Sequence, residues 1–424
     1  MFTVALAVAS CTPNATSPTD VPSARATATT TPTGGLPRAI AAEVRPLQRW
    51  NVLPDVATIV ADFAVDPRPG DPVVRVDGGS DAAMTFTAGG PRGFGTIAGI
   101  DISSLAPGEH RAEVFVRLSD GSRAPVGSTA FLVSAPEYVV WTLDFEGDSA
   151  TDEAMANTAA IADRHGIPMT IMWNPRVWTT TQVAPARADA MVAWTKARMS
   201  RGDELALHVH MWTDFIRAAG LAPRTSPSWA GRGDGYDVPM TAYDGVEQRA
   251  ILEYALRLMA DHGLERPTTF RAGGQFANAA TLRALAALGF AADCSAVAAG
   301  TFGRLTYPWT LGSDAQPYHP SANDASAAGS LPLLEAPTIG GNTYGYNMRT
   351  ITPIIRADLS LLAAAGGVAK ERRAITIVSH PATIDSTERA AIESLFDAFG
   401  PLRYDADRGP VRFVTLAQLA RDWR

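Results

Sequence analysis

Two stretches of the chain each join a run of apolar residues to side chains that bind metal ions. In 139–148 the apolar run leads into three carboxylates, and in 204–210 it leads into two histidines. Both runs are typical of buried strands. Carboxylates and histidines at the ends of neighbouring strands are the ligands from which hydrolases build divalent metal sites. The two stretches therefore predict a metal-dependent hydrolase.

The first stretch contains the acids Asp144, Glu146 and Asp148. Because side chains alternate along a strand, the three share a face as long as the chain stays extended, and Gly147 is expected to end the strand before Asp148. Paired carboxylates suit one acid as a metal ligand and another as a general base. The spacing leaves open which acid takes which part.

The second stretch contains His208 and His210, which have the same spacing of two residues. Both can face one side of the strand end, where two imidazoles can chelate one ion. Two further polar residues end predicted strands. Arg271 is suited to pairing with a buried carboxylate, and His380 is placed as a general acid or base.

The charge and the cysteine content exclude some classes of partner and of metal site. The 424 residues carry a formal net charge of -7 without a lysine or arginine cluster, which argues against a nucleic-acid surface. The only cysteines are Cys11 and Cys294, so a zinc site with four cysteines is excluded.

The N-terminal third is predicted to contain three segments. Residues 1–11 resemble a bacterial export signal with a lipobox, in which Cys11 would carry the lipid. Residues 12–43 are rich in Thr, Pro and Ala, which predicts a disordered tether. Residues 44–136 show short alternating strands and turn formers, which predicts a β-sandwich that resembles immunoglobulin-like accessory domains of secreted enzymes. We expect an exported protein at the cell envelope that touches the membrane only through its lipid anchor.

The remainder, 137–424, alternates between strand and helix patterns. Strands are predicted at 138–143, 167–172, 204–209, 268–271, 289–294, 374–379 and 411–415, and helices lie between them, for example at 152–165 and 248–262. Repeated βα units of this kind give either an open doubly wound sheet or a closed barrel, and about seven strands with polar residues after them favour a distorted (β/α)7 barrel. The Pro- and Gly-rich stretch 301–336 is long for a connection and is predicted to be a substrate loop.

In combination, these motifs resemble the polysaccharide deacetylase family, carbohydrate esterase family 4. The resemblance covers about 137–424. It rests on the acid motif and on the segments 202–208, 271–290, 333–337 and 377–380.

The resemblance implies removal of acetyl groups from a cell-envelope or extracellular polysaccharide, at nitrogen or oxygen, with a divalent ion that is usually zinc. Glu146, His208 and His210 would hold the ion. Asp144 would be the base, Arg271 would orient it, and His380 would be the acid.

Two positions depart from the family pattern. Phe145 stands where the family commonly has a second aspartate, so Glu146 must substitute for it. Alternatively, Asp144 is itself a ligand and Glu146 or Asp148 is the base. Trp212 stands where a second histidine is common, four residues after the first.

Aromatic residues near the predicted strand ends are candidates for stacking on sugar rings, with core packing as the alternative. Trp212 and Tyr318 are predicted to contact the substrate, and further candidates are Trp173, Trp178, Tyr307 and Trp309. Two other functions remain open. One is a different metal hydrolase, such as an amidohydrolase-like enzyme, and the other is a carbohydrate-binding protein without catalysis.

Overall fold

The computed structural model describes residues 34–343 and 348–423, with side chains from residue 353 onward in the second range. The predicted signal with Cys11, and the predicted tether up to residue 33, lie outside these residues. None of the described helices is long and apolar enough to cross a membrane.

The first domain consists of two sheets that share one hydrophobic core. Its strands are β1 (Ala42–Pro46), β2 (Trp50–Val52), β3 (Val56–Phe63), β4 (Val73–Val76), β5 (Ala82–Ala83), β6 (Thr85–Thr87), β7 (Phe94–Asp101), β8 (Gly108–Arg117) and β9 (Arg123–Ser134). One sheet has the order β1-β3-β7-β6 and the other β2-β9-β8-β4-β5. All neighbours are antiparallel except β2 and β9. The alternating residues of strands such as β8 supply the core, as the sequence pattern predicted.

The folded region begins earlier than residue 44. Leu36 lies in the stretch predicted as a tether, yet only 5% of it is exposed, and it packs into the core of the first domain. Its backbone N–H donates to the carbonyl of Arg117, and its carbonyl accepts from Ser119. Few large apolar residues among many small polar ones carry too little weight in a composition argument, so the predicted boundary lies too late in the chain.

The second domain is built on a parallel sheet. The strands are β10 (Glu137–Asp144), β11 (Thr170–Trp173), β12 (Glu204–Val209), β13 (Thr269–Ala272), β14 (Ala292–Asp293), β15 (Thr301–Phe302), β16 (Leu305–Thr306), β17 (Leu334–Glu335), β18 (Arg373–Ser379) and β19 (Val411–Phe413). The order is β17-β14-β13-β12-β11-β10-β18, with β19 also beside β10, and β15 and β16 form a separate hairpin. The predicted parallel α/β class is confirmed. Strand β17 is added to the seven strands predicted from the apolar pattern, and it lies in the segment 333–337 that resembles a strand of the family.

The helices lie between the strands, as predicted. They are α1 (Asp152–His165), α2 (Pro185–Met199), α3 (Thr213–Ala218), α4 (Gly245–Asp261), α5 (Ala279–Ala287), α6 (Met348–Ala364), α7 (Ser386–Asp397) and α8 (Leu416–Asp422). Helix α1 begins where the Thr151 side chain accepts a hydrogen bond from the Ala154 N–H. Helix α4 begins with a reciprocal capping box between Asp244 and Glu247.

The sheet is curled, and one segment connects its two edges. After β17, the backbone N–H of Thr338 donates to the carbonyl of Ala296, which follows β14. The chain then reaches β18 at the opposite edge, where Gly340 donates to the carbonyl of Thr376 and Thr343 to that of Val378. The predicted distorted barrel is thus a curled sheet whose edge strands are bridged by 338–343.

Because side chains alternate along each strand, one set packs against the helices outside the sheet and the other set points to the inside of the curled sheet. On β10, Val139, Trp141 and Leu143 belong to the core shared with the helices. Tyr138 and Val140 face the inside of the curled sheet, where helix α8 fills the space. Asp144, at the carboxyl end of β10, has the same alternation as Tyr138 and Val140, so its charged side chain also points inward.

Candidate active site

The carboxyl ends of three parallel strands bring five of the predicted residues together. Asp144 ends β10, His208 lies near the end of β12, and His210 follows it. Glu146 stands two residues beyond β10, and His380 directly follows β18. All except Glu146 are buried, and Glu146 is partly buried. Alternation places both histidines of the second motif on the same inward face, as the spacing predicted.

Glu146 lies at the centre of this group. Its Oε2 contacts Nε2 of His210 and lies 3.9 Å from Nε2 of His208, while its Oε1 lies 3.1 Å from Nε2 of His380. Burial favours the neutral carboxyl, but the three histidines, His210 foremost, hold the pKa of Glu146 well below its usual value. Burial likewise disfavours the imidazolium forms, yet the neighbouring carboxylates raise the pKa of His208 and His380.

The environment of each histidine of the second motif fixes its orientation. Nδ1 of His208 lies 3.0 Å from the backbone carbonyl of Arg271, to which it can donate. This bond leaves Nε2 as the acceptor that faces Glu146. The ring of His210 lies against Gly273, where a Cβ would be 2.5 Å from Cγ of the imidazole. Residue 273 must therefore be glycine for His210 to occupy this position.

Asp144 is paired with a fully buried arginine. Nη1 of Arg271 donates to Oδ1 of Asp144 at 2.8 Å and to Oγ1 of Thr142 at 2.7 Å. Its other nitrogens reach the Cys294 carbonyl at 3.1 Å and Oγ1 of Thr338 at 3.3 Å. Burial disfavours the carboxylate, but the charge of Arg271 outweighs it and holds the pKa of Asp144 below its usual value. The sequence predicted this pairing of a strand-end arginine with a buried acid.

The donor atoms fit a divalent metal ion. One ligand atom from each of Glu146, His208 and His210 lies within 4.8 Å of the others, and the same holds for Asp144, Glu146 and His380. Nε2 of His208 is buried and has no hydrogen-bond partner among the described residues, which is expected of an atom that serves as a ligand. Two imidazoles and one carboxylate, with room for a fourth ligand, match the composition of catalytic zinc sites.

A cavity of about 640 Å³ opens over this group. The lining residues are Asp144, Glu146, Asp148, Ser149, His210, Trp212, Trp229, Gly274, Gln275, Phe302, Tyr307, Asn342, Val378, His380, Ala382 and Thr383. Asp148 is in the lining but not in either group of converging ligand atoms. Burial and the nearby Glu146 raise the pKa of Asp148.

Some of the aromatic residues predicted to contact the substrate line the cavity, and others do not. Trp212 and Tyr307 line the cavity, whereas Trp173 and Trp309 are buried in the core. Tyr318 does not line the cavity, contrary to its predicted role in substrate contact. Its backbone pairs with that of Glu335 in β17, and its hydroxyl donates to the carbonyl of Ala325 at 2.5 Å. These bonds hold the phenol within its own loop.

One buried residue that supports the site was not predicted. Arg176 is completely buried and follows β11. Its Nη1 donates to the Gly147 carbonyl at 2.8 Å, and its guanidinium forms a bidentate pair with Asp214 at 2.8 and 2.6 Å. The guanidinium carbon lies 4.1 Å from the centre of the Trp212 ring. Arg176 thus holds the acid loop and Trp212 together, and its place at a strand end, like that of Arg271, was the available sequence signal.

Replacing Arg176 with Met is expected to lower the free energy of unfolding by about 3 kcal/mol, because it leaves Asp214 and the Gly147 carbonyl without their partner. Urea unfolding of the zinc-free protein, followed by tryptophan fluorescence, measures this change. Arg249→Met is the control, since Arg249 forms an exposed pair with Glu253 on helix α4 and should change stability by under about 0.5 kcal/mol. Equal effects of the two substitutions would contradict the supporting role of Arg176.

No protein family and no curated protein matches the chain by sequence. Solved structures do match. A Mycobacterium smegmatis protein described as a polysaccharide deacetylase is 16% identical, with 68% of this chain and 90% of that chain covered and a TM-score of 0.41. A family 4 carbohydrate esterase from Streptomyces lividans, in complex with acetate, is 12% identical, with 62% and 88% covered and a TM-score of 0.32. A mutant of a pseudoenzyme of carbohydrate esterase family 4 is 9% identical, with 75% and 90% covered and a TM-score of 0.34.

These identities and TM-scores are low, so the function of this chain has to be argued from its own residues. Structures described as a polysaccharide deacetylase and as a family 4 carbohydrate esterase are thus among those that the chain matches, and the resemblance that the motifs predicted stays a prediction.

Proposed function

We infer that the protein is a metal-dependent carbohydrate deacetylase. The observation that carries this inference is the convergence of ligand atoms from Glu146, His208 and His210 beside the Asp144–Arg271 pair. Of these residues, Asp144, Glu146 and His210 line the cavity. A ligand set and a separate, ionised carboxylate are the two parts from which a metal-dependent hydrolysis of an acetyl group can be built.

Glu146, His208 and His210 are the residues that would hold the ion, most simply zinc. A bound zinc ion would supply Lewis-acid polarisation of the acetyl carbonyl and would acidify a water molecule. Asp144 is ionised and accepts the proton of the attacking water, while Arg271 fixes the orientation of its carboxylate. His380 faces the cavity from the other side and donates a proton to the departing nitrogen or oxygen of the sugar. The buried setting strengthens each of these interactions.

Release of acetate from acetylated glycans tests the proposal. The zinc-loaded protein is incubated with chitin oligomers, peptidoglycan, poly-N-acetylglucosamine and acetylated xylan, and free acetate is quantified. We expect release from at least one of them and none after zinc is removed with a chelator. A protein that binds zinc with full occupancy and releases no acetate from any of the four would count against deacetylation. A protein with no affinity for zinc, nickel or cobalt would favour a binding function without catalysis.

The remaining parts of the chain are proposed to place this enzyme outside the cell. Cys11 would carry a lipid anchor that holds the protein at the cell envelope, 12–33 would act as a tether, and the first domain would be an immunoglobulin-like accessory module. The partner would be a polysaccharide rather than a nucleic acid. Labelling of expressing cells with a clickable palmitate analogue should mark the wild type and not Cys11→Ala. Equal labelling of both would contradict the anchor.

A further inference from the structure

A second cavity, of about 760 Å³, lies where the first domain meets the second. The turn between β2 and β3 forms one side, and the chain before β18, strand β19 and the end of helix α8 form the other. Tyr138, near the start of β10, is also in the lining, whereas Asp144 is at the carboxyl end of this strand. The two positions are about 20 Å apart at roughly 3.3 Å per residue. This junction cavity shares no lining residue with the cavity over the candidate metal ligands.

The lining of the junction cavity carries an excess of positive charge. Four cationic and two acidic side chains give it a formal charge of +2, namely those of Lys370, Arg372, Arg412, Arg421, Asp55 and Asp422. The whole chain, in contrast, has a formal charge of -7. A third cavity, of about 650 Å³, has the opposite balance, since Lys196 and Arg266 line it together with three acids. A cavity of this size therefore does not by itself gather cations in this protein.

Lys370 and Arg372 have no acidic partner in the part of the chain that the structure describes, and their side chains donate no hydrogen bond there. The next residue, Arg373, behaves differently, because it pairs with Asp314 at 2.5 Å and with Asp358 at 2.8 Å. The guanidinium carbon of Arg372 lies 4.8 Å from the centre of the Trp423 ring, and this contact leaves its N–H groups available to an anion. An anion in the cavity would be attracted by both cations.

Tyr138 supplies a further donor to the same space. Only 1% of this residue is exposed, yet its hydroxyl has no hydrogen-bond partner among the described residues. Burial raises the pKa of Tyr138, and the charge of Asp422 adds to this effect, so the hydroxyl keeps its proton and can donate. Arg412 also acts on the hydroxyl, which shows that the phenol faces the charged lining. Buried polar groups nearly always have a partner, so a group in the cavity is expected to accept this bond.

We propose that the junction cavity binds a phosphate ester, whose phosphate group is held by Lys370, Arg372 and the Tyr138 hydroxyl. Ammonium and guanidinium groups bind phosphate oxygens through charge-assisted hydrogen bonds. A phosphate monoester has a charge of about -1.5 to -2 near pH 7, which balances the +2 of the lining. A cavity of about 760 Å³ also has room for the organic group that carries the phosphate. The site is independent of the proposed deacetylase function, since it shares no residue with the candidate metal centre.

Contacts between the two domains fix one wall of this cavity. Nη2 of Arg412 pairs with Asp55 of the first domain, and the guanidinium carbon lies 4.0 Å from the centre of the Tyr404 ring. The Tyr404 hydroxyl in turn donates to Oε1 of Gln48 at 3.1 Å. A wall that is already ordered lowers the entropy cost of binding. A ligand that binds only the folded protein also stabilises it, so a bound phosphate ester should raise the melting temperature.

The test titrates the full-length, zinc-loaded protein with glycerol 3-phosphate in a calorimeter. We expect the wild type to bind one equivalent, and the double variant Lys370→Gln/Arg372→Gln to bind at least about tenfold more weakly. Tyr138→Phe, which removes only the hydroxyl, should bind several-fold more weakly. Lys196→Gln is the matched control, because Lys196 is the other lysine of the chain and lines the third cavity. Glycerol 3-phosphate should raise the melting temperature of the wild type and of this control, but not of the double variant.

Equal affinities of the wild type and the double variant would overturn the site, since phosphate bound at the zinc ion would not respond to these substitutions. Vesicles then identify the source of the phosphate. The protein is sedimented with phosphatidylcholine vesicles that contain or lack phosphatidic acid. Binding of glycerol 3-phosphate with equal sedimentation by both kinds of vesicle assigns a soluble ester. Sedimentation only with phosphatidic acid, reduced in the double variant, assigns a lipid headgroup, whether or not the soluble ester binds. A wild type that binds neither probe would also overturn the site.

Discussion

Replacing His208 with Ala is expected to abolish zinc binding and, with it, acetate release. Nε2 of His208 is a buried acceptor that has no hydrogen-bond partner in the part of the chain that the structure describes, and Nδ1 can donate to the Arg271 carbonyl. Loss of even an outer-shell partner of a metal site costs 10- to 100-fold in affinity, so loss of a ligand should cost at least about 100-fold. Zinc content after dialysis, measured by mass spectrometry, should fall from one equivalent to near zero.

His262→Ala is the matched control for this substitution. His262 is exposed and stacks on Trp178 at 4.1 Å, away from the ligand atoms. The control should keep one equivalent of zinc. Melting temperatures add a second readout, since zinc at 100 times its dissociation constant stabilises a folded protein by about 2.7 kcal/mol. Zinc should therefore raise the melting temperature of the wild type and the control but not of His208→Ala. Full zinc occupancy in folded His208→Ala would remove His208 from the ligand set.

Strand positions could be predicted where an alternating apolar pattern led directly into metal-binding or charged side chains. The prediction of 204–209 matches β12 (Glu204–Val209) at both ends, because Leu205, Leu207 and Val209 alternate with inward residues. The prediction of 289–294 shrinks to β14 (Ala292–Asp293) because Gly289 and Phe290 form the turn that follows α5. There the Phe290 N–H donates to the Leu285 carbonyl. A short apolar run does not distinguish a helix end from a strand.

The convergence of the strand-end residues could be predicted from the sequence, but the places of Trp229 and Phe302 in the cavity lining could not. The sheet determines where residues at strand ends lie. Asp144, His208 and Arg271 come together because their strands are parallel and close to one another in the sheet. Trp229 and Phe302 occupy loops whose path depends on hydrogen bonds between the loops, for which the sequence has no periodic signal. For the same reason Tyr318 was placed wrongly.

Asp144→Asn and Glu146→Gln are expected to separate the base from the ligand, which the sequence left open. Asp144 is bound to Arg271, whereas Glu146 faces three histidines. If Asp144 is the base, its amide variant keeps zinc and loses about 10²- to 10⁴-fold in acetate release. If Glu146 is the ligand, Glu146→Gln loses zinc as well as activity. The opposite pattern, with zinc lost in Asp144→Asn and kept in Glu146→Gln, would reverse the two assignments.

Two controls make this comparison decisive. Asp148→Asn removes the third acid of the motif, which lines the cavity without joining the ligand atoms, and should keep both zinc and activity within a few-fold. Asp144→Asn leaves Arg271 charged and buried without its anion, which should lower the free energy of unfolding by about 3 kcal/mol. Zinc content and acetate release are therefore measured well below the melting temperature of each variant. If the Asp144→Asn variant is folded, binds zinc and keeps full activity, Asp144 is not the base. Glu146 or Asp148 would then have that role.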